Sequence, residues 1–333
     1  MRNVVSQAER GNRGMEISAL ILRGPFLPQR FSHLRICCGL CDSDSSQRGP
    51  TDSGAGMGKT ESGIWFNRMM LKTGRLATGK TQRQVAEEAL LSKDTYRDYE
   101  AGRTSPPAKN IKALAKACGH SEEKAEYMVK AALGREGGQA LEAEMRFNAL
   151  YISLAERFYG FFFKFDALLV PGLLQLQEYH YTVARLAEPG TDEWVDRGWE
   201  FKDERQQAVE ARTDRPTLQF LIGETALLQL RMISDELYQD QMQHLKRWAR
   251  KPGVFIRVSR GPVPAHQSGF SLYLPAESHL AGPPIAYTEI ADSSWLIDDP
   301  TRIAGYDELR KMLWKKAIRI EVYNDDDWRY RLA

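Results

Sequence analysis

The chain has 333 residues, a formal net charge of +2, and 42% hydrophobic against 27% charged residues. This length allows about two domains of ordinary size, and this balance belongs to a globular protein rather than a disordered or fibrous one. No stretch approaches the ~18 consecutive apolar residues of a membrane span, and the apolar piece Ile17 to Leu22 is too short and follows Glu16, so neither a membrane anchor nor a secretory leader is read and a cytoplasmic setting is expected.

Residues 1–56 are rich in Ser, Gly, Arg and Cys, and Ser43 to Gly56 has almost no large apolar side chain. Such a stretch cannot bury enough surface to fold. It reads as a disordered arm or as an extension upstream of the true start, with Met57 the favoured start. Three of the four cysteines (Cys37, Cys38, Cys41) crowd into it and the fourth is Cys118. No second ligand pair stands at zinc spacing, and a cytoplasmic setting disfavours disulfides. No metal or cofactor is expected.

Residues 57–135 carry 15 Lys and Arg against 9 Asp and Glu. A local positive surplus is the electrostatic footprint of a nucleic-acid module. The apolar stripes are short and helical: Trp65, Phe66, Met69 and Met70; Val85 and Ala89; Tyr96 and Tyr99; Ile111, Leu114 and Ala115. Ser121 followed by Glu122 and Glu123 opens one more helix, running to Leu133. The expectation is a compact all-α domain of five helices, closed by a glycine-rich linker at Gly134 to Gly138.

Residues 140–333 read as a larger α+β domain. Helices are predicted from about Ala140 to Arg157, Leu173 to Leu186 and Asp235 to Arg250, and one starts at Asp299-Pro300 with Ile303, Tyr306, Leu309 and Leu313 on its apolar face. Strands are predicted at Thr217 to Ile222, Val254 to Val258, Phe270 to Leu274 and Ile285 to Ile290. The expected sheet is small and antiparallel. The aromatic run Phe158 to Phe165 reads as a buried helix-to-loop junction in preference to an interface.

The segment Thr81 to Gly102 has the organisation of a helix-turn-helix. Thr81 can cap a first helix whose Val85 and Ala89 face inward and whose small Ala86 permits a close crossing. Ser92 caps a second helix, Tyr96 and Tyr99 anchor it, and Gly102 ends it in the left-handed conformation. The second helix is then the recognition helix. Lys93, Asp94, Arg97 and Asp98 lie away from its tyrosines and are the candidates for base edges. Lys80, Gln82, Arg83 and Arg103 are the candidates for phosphates. Double-stranded DNA is the expected partner.

Thr-Gln-x-x-Val-Ala from Thr81, Ser-x-x-Thr-Tyr from Ser92, and Glu100, Gly102 and Pro106 together resemble the phage-repressor-like (XRE) helix-turn-helix family. Leu90 departs from that family, which often places Gly in the turn. Further on, Ala167 to Gln175 with Glu178-Tyr179, Arg212 to Glu224, Lys251 to Val254 and Leu296 to Pro300 resemble the WhiJ-like actinobacterial regulators of that family. The likeness spans about Thr81 to Leu313. It implies an antitoxin-like regulator with an uncharacterised C-terminal domain and a small partner protein, and it carries over no catalytic residue. A homodimer is expected from the two half-sites such a motif reads, and a partner or ligand is expected to act through the large second domain.

Two other patterns compete. Gly74 to Thr81 matches the P-loop G-x-x-x-x-G-K-[ST], but the preceding Asn67 to Lys72 reads as an amphipathic helix rather than the buried strand a P-loop needs. An NTPase, or a protein-interaction module that has lost DNA binding, is the alternative function. His266, Ser268 and Glu289 sketch a hydrolase set without a nucleophile elbow. The chain is therefore expected not to be an enzyme.

Overall fold

The computed structural model describes residues 61–133, 141–143, 145–187, 191–261, 269–290 and 293–324. The readings made on residues 1–56, with Cys37, Cys38 and Cys41, on the Gly134 to Gly138 linker, and on His266 and Ser268 lie outside them.

Five helices open the described chain: α1 (Glu61–Ala77), α2 (Gln82–Glu88), α3 (Lys93–Ala101), α4 (Ala108–Ala117) and α5 (Glu122–Leu133). Their bounds follow local chemistry. Thr81 accepts from the Gln84 amide while the Gln84 side chain accepts from the Thr81 amide, a capping box that starts α2. Ser92 accepts from the Thr95 amide and starts α3; Gly102, at φ +74°, ends it. Phe66, Met69, Val85, Ala86, Tyr96, Ile111, Leu114, Ala115 and Met128 close the core between the five helices.

The body that follows is α+β, as the sequence predicts. Its order is β1 (Leu141–Ala143), α6 (Met145–Phe158), β2 (Phe161–Asp166), a 3-10 turn at Gly172–Leu174, α7 (Gln177–Ala187), α8 (Asp192–Glu210), β3 (Thr217–Gly223), α9 (Glu224–Ile233), α10 (Asp235–Ala249), β4 (Val254–Ser259), β5 (Phe270–Leu274), β6 (Ile285–Glu289), β7 (Ser294–Ile297), α11 (Pro300–Lys316) and β8 (Ile318–Arg319). The strands form one sheet of eight in the order β1-β7-β6-β5-β2-β3-β4-β8. It is larger than expected, and mixed: β2, β3 and β4 run parallel, and the remaining pairings are antiparallel.

The aromatic run explains the difference. Phe161 to Asp166 is not a junction but the central strand β2, hydrogen-bonded to β3 on one side and β5 on the other. A strand buried on both faces shows a continuous apolar run instead of alternation. Phe163 and Phe165 pack with Ile303 and Leu313 of α11 on one face. Phe162 packs on the other, in a core shared with Tyr151 and Ile152 of α6 and Leu245 and Trp248 of α10. The pleat turns Lys164 towards this second face, where it meets Glu156 of α6.

That second core runs without interruption into the five-helix head. The described residues all belong to Ala55–Ala333, which packs as one unit. Phe66 of α1 stacks on Tyr151 of α6, centroids 5.2 Å apart. Trp65 packs against Tyr151 and Tyr159, and its indole N–H donates to the Leu280 carbonyl at 2.8 Å. A Cβ on Gly282 would lie 2.6 Å from the Trp65 ring, so only glycine admits this approach. Tyr127 of α5 donates to Asn148 of α6, which donates in turn to the Ser294 carbonyl at 3.0 Å. Burying a side chain the size of Phe66 contributes about 2 kcal/mol, and Phe66 is covered partly by Tyr127 of the head and partly by Tyr151 of the body.

Candidate nucleic-acid interface

The turn between α2 and α3 consists of Ala89, Leu90, Leu91 and Ser92. Leu90 has φ +57° and is 92% exposed. The residue where the sequence departs from the glycine preference does stand in the left-handed region, at a cost of about 1 kcal/mol for a residue with a Cβ. Its neighbour Leu91 donates its amide to the Ala86 carbonyl at 2.8 Å.

Tyr96 and Tyr99 bury the inner face of α3. The Tyr96 hydroxyl reaches the Leu71 carbonyl at 3.4 Å and Cys118 Sγ at 3.6 Å. Burial pushes both the Tyr96 hydroxyl and the Cys118 thiol up, so both stay neutral and act as packing groups.

A buried carboxylate fixes α3 on the remainder of the head. Glu100 receives Arg75 Nη2 at 2.6 Å and Nε at 3.1 and 3.2 Å, and Gln82 Nε2 at 2.8 Å. Arg75 also donates to the Lys80 carbonyl at 3.0 Å, and Arg68 to the Glu100 carbonyl at 3.2 Å. One network thus ties α1, the α1–α2 turn, α2 and α3. The hydrogen bond to Glu100 raises the Arg75 guanidinium further, against the opposing effect of burial. Sequence reasoning quoted Glu100 only as a motif letter and missed Arg75. The available signal was a glutamate beside two inward tyrosines, which cannot be buried without a cation.

With α3 so anchored, Lys93, Asp94 and Arg97 are exposed and Asp98 is half-buried. The four stand together on the free face of α3. Arg97 lies 2.9 Å from Asp94 and 3.7 Å from Asp98, and Asp98 also holds Arg103. The hydrogen bond from Arg103 keeps the Asp98 carboxyl below its usual range. Arg83 is exposed and paired to Glu87. The other two phosphate candidates are otherwise engaged: Lys80 is bound to Glu88 at 2.7 Å and the Ala117 carbonyl at 2.9 Å, and Gln82 is held by Glu100. Both are half-buried and held against the head, whereas Arg83 and Arg103 are exposed. The residues expected to be structural stand in those places: Thr81 and Ser92 are caps, Val85, Ala86, Tyr96 and Tyr99 are core, and Gly102 is the left-handed terminus.

The P-loop pattern does not make a phosphate cradle. Gly74 lies inside α1, where a Cβ would fall 2.5 Å from the His120 ring. Lys80 is occupied, and Thr81 caps α2. No strand precedes the loop among the described residues.

Residues 70–128 match the family described as a helix-turn-helix domain. The head is a helix-turn-helix domain. Residues 162–321 match a second family, described as a domain of unknown function (DUF5753). No curated protein and no solved structure matches the chain. The helix-turn-helix match covers the end of α1, then α2, the turn, α3 and α4, and the first half of α5. The second match covers β2 to β8 and their helices.

Proposed function

We propose that this chain is a sequence-specific, DNA-binding transcriptional regulator that works in the cytoplasm as a homodimer, without cofactor or catalytic step. The observation that carries this is the free face of α3. It is held rigidly from behind by Tyr96, Tyr99 and Glu100, and it presents Lys93, Asp94 and Arg97 to solvent at the helix N-terminus, the end that enters the major groove in this motif. Arg and Lys suit guanine, and Asp accepts from cytosine. Arg83 and Arg103 remain for phosphates. The Arg97 ion pairs with Asp94 and Asp98 exchange for base contacts on binding, which favours specific sites over bulk DNA.

Homodimerisation follows from the size of the reading element. Nine residues of α3 cover only a few base pairs, and a two-fold dimer doubles the site by placing two such helices one turn of DNA apart. The body is then a sensing module that answers to a small partner protein or a ligand, in keeping with the resemblance to WhiJ-like, antitoxin-like regulators of the XRE family.

Gel-shift titrations at two salt concentrations test the assignment. Arg97→Ala is expected to abolish preference among sequences while retaining nonspecific affinity. Arg103→Ala is expected to weaken all sequences alike and to reduce the salt slope by about one. Retained sequence preference in Arg97→Ala overturns the placement of α3 as the reading helix.

A further inference from the structure

A cavity of about 340 Å³ opens in the body where the parallel half of the sheet meets the antiparallel half. Asp166 ends β2, Phe270 begins the antiparallel β5 beside it just after Gly269, and Glu289 ends β6. The carboxyl end of a parallel strand is the end at which α/β sheets place their ligands. The volume is that of a small-molecule site.

The polar lining is divided. Lys202 and Arg205 come from α8; Lys164, Asp166, Tyr287 and Glu289 come from the sheet. Two cations are already spent. Arg205 binds buried Glu156 through two bonds of 2.6 and 2.8 Å, and Lys164 binds it at 2.7 Å. Lys202 is aimed by Gln175 Oε1 at 2.7 Å and by His180 Nδ1 at 2.9 Å. The other ring nitrogen of His180 donates to the Val195 carbonyl, which leaves Nδ1 as an acceptor and so fixes Lys202. Glu289 takes the Tyr287 hydroxyl on one oxygen. The Asp166 carboxylate makes no hydrogen bond or ion pair among the described residues. Burial, with Glu289 adding to it and Lys164 opposing, pushes its carboxyl up to about 6. The lining thus carries three cations, two of them held by Glu156 behind it, and two carboxylates, of which Asp166 faces the cavity without a protein donor and is open to one from a ligand.

We propose that this cavity binds a small amino-acid-like zwitterion, its ammonium on Asp166 and Glu289 and its acid group facing Lys202. A free anion would meet Asp166, and a divalent metal would find no third ligand, since no group of three metal-binding side chains exists among the described residues. A zwitterion meets both signs of a lining whose three cations are offset by Asp166, Glu289 and the buried Glu156 behind them. The proposal rests on the reading of the body as a sensing module and names what it senses. The wall opposite the sheet includes Ala149 and Ile152 of α6. The same helix carries Asn148 to Tyr127 and Tyr151 to Phe66 and the Ser62 carbonyl of the head. A ligand that moves α6 therefore moves the surface on which the DNA-binding head rests.

The test uses full-length protein, with the standard L-α-amino acids added singly at millimolar concentration in thermal-shift assays and the responding one titrated by calorimetry. At least one amino acid is expected to raise the melting temperature. Its decarboxylated amine and its N-acetyl derivative should each bind at least about tenfold more weakly, the worth of one charge-assisted hydrogen bond. Asp166→Asn and, as a second variant, Lys202→Gln should each lose at least about tenfold in affinity while keeping the wild-type circular dichroism. The proposal is overturned if no amino acid shifts melting, if the amine alone binds as well, or if Asp166→Asn binds like wild type. Gel shifts on the same preparations separate the two readings: DNA binding without amino-acid binding sinks only this proposal, and the reverse sinks only the regulator.

Discussion

At the scale of single residues, the protein keeps two groups in positions that cost stability. Leu90 holds a left-handed φ with its side chain almost wholly in solvent. Leu90→Gly is expected to raise stability by up to about 0.5 kcal/mol, the relieved strain slightly exceeding the added backbone entropy of the unfolded chain. Urea unfolding measures this; an unchanged or lower midpoint counts against the strain. Asp166 is the second. Its folded-state carboxyl sits near 6 because of burial, above the 3.8 of the free group, so the folded protein holds this proton more tightly than the unfolded chain. The associated stability is fully present below pH 3.8 and is lost as pH rises through 6. Asp166→Asn is therefore expected to be more stable than wild type at pH 7.5, by no more than about 3 kcal/mol, with the difference shrinking towards pH 4. Glu156 behaves oppositely. Burial resists its ionisation, but Arg205 and Lys164 overcome that and hold it near 2, so its contribution is present above pH 4.5 and fails only as pH falls towards 2. The left-handed turn was legible as a departure from a motif. The pocket around Asp166 and Lys202 was not, because its members stand on β2, α6, α8 and β6 and no spacing in the sequence joins them.

At the scale of elements, the helix-turn-helix was legible because its signals are local. Thr81, Ser92 and Gly102 each act within one turn of themselves, and the structure uses all three as caps. What local signals could not show is which side chains the fold consumes. Lys80 and Gln82 have the type and position of phosphate ligands, yet the first closes on Glu88 and Ala117 and the second on Glu100. Glu100→Ala is expected to destabilise the protein by about 3 kcal/mol, since it leaves Arg75 charged and largely buried without its partner. A loss below about 1 kcal/mol in chemical unfolding would mean that water replaces the carboxylate and that the network does not fix α3. The strands divide in the same way. β3 to β6 show alternation or flanking turns and were readable; β2 lacks both, because a central strand packed on two faces has no polar side to alternate with. Helix α8 escaped notice for the opposite reason: most of its 19 residues are polar, and few are buried.

At the scale of the whole molecule, the composition break at Gly134 to Gly138 suggested a head and a body on a linker, whereas the described residues show one continuous core between them. Chain composition reports covalent flexibility; it does not report a face such as Trp65, Phe66 and Tyr127 that is completed by another part of the chain. Residues 57–135 expressed alone would expose that face. They are expected to melt lower than the intact protein and to bind the same operator more weakly, in matched thermal and gel-shift measurements; equal affinity and stability would show the contact to be idle. Asn148→Ala, which breaks the Tyr127–Asn148–Ser294 connection, should reproduce part of that loss in the full chain. The central claim is that α3 reads DNA sequence, and selection of bound fragments from a random double-stranded pool tests it most directly. The full-length protein is expected to enrich a two-fold symmetric site with half-sites about one helical turn apart, roughly 10 base pairs, and Arg97→Ala to enrich none. A pool that stays random with wild-type protein, or an identical site enriched by Arg97→Ala, contradicts the account.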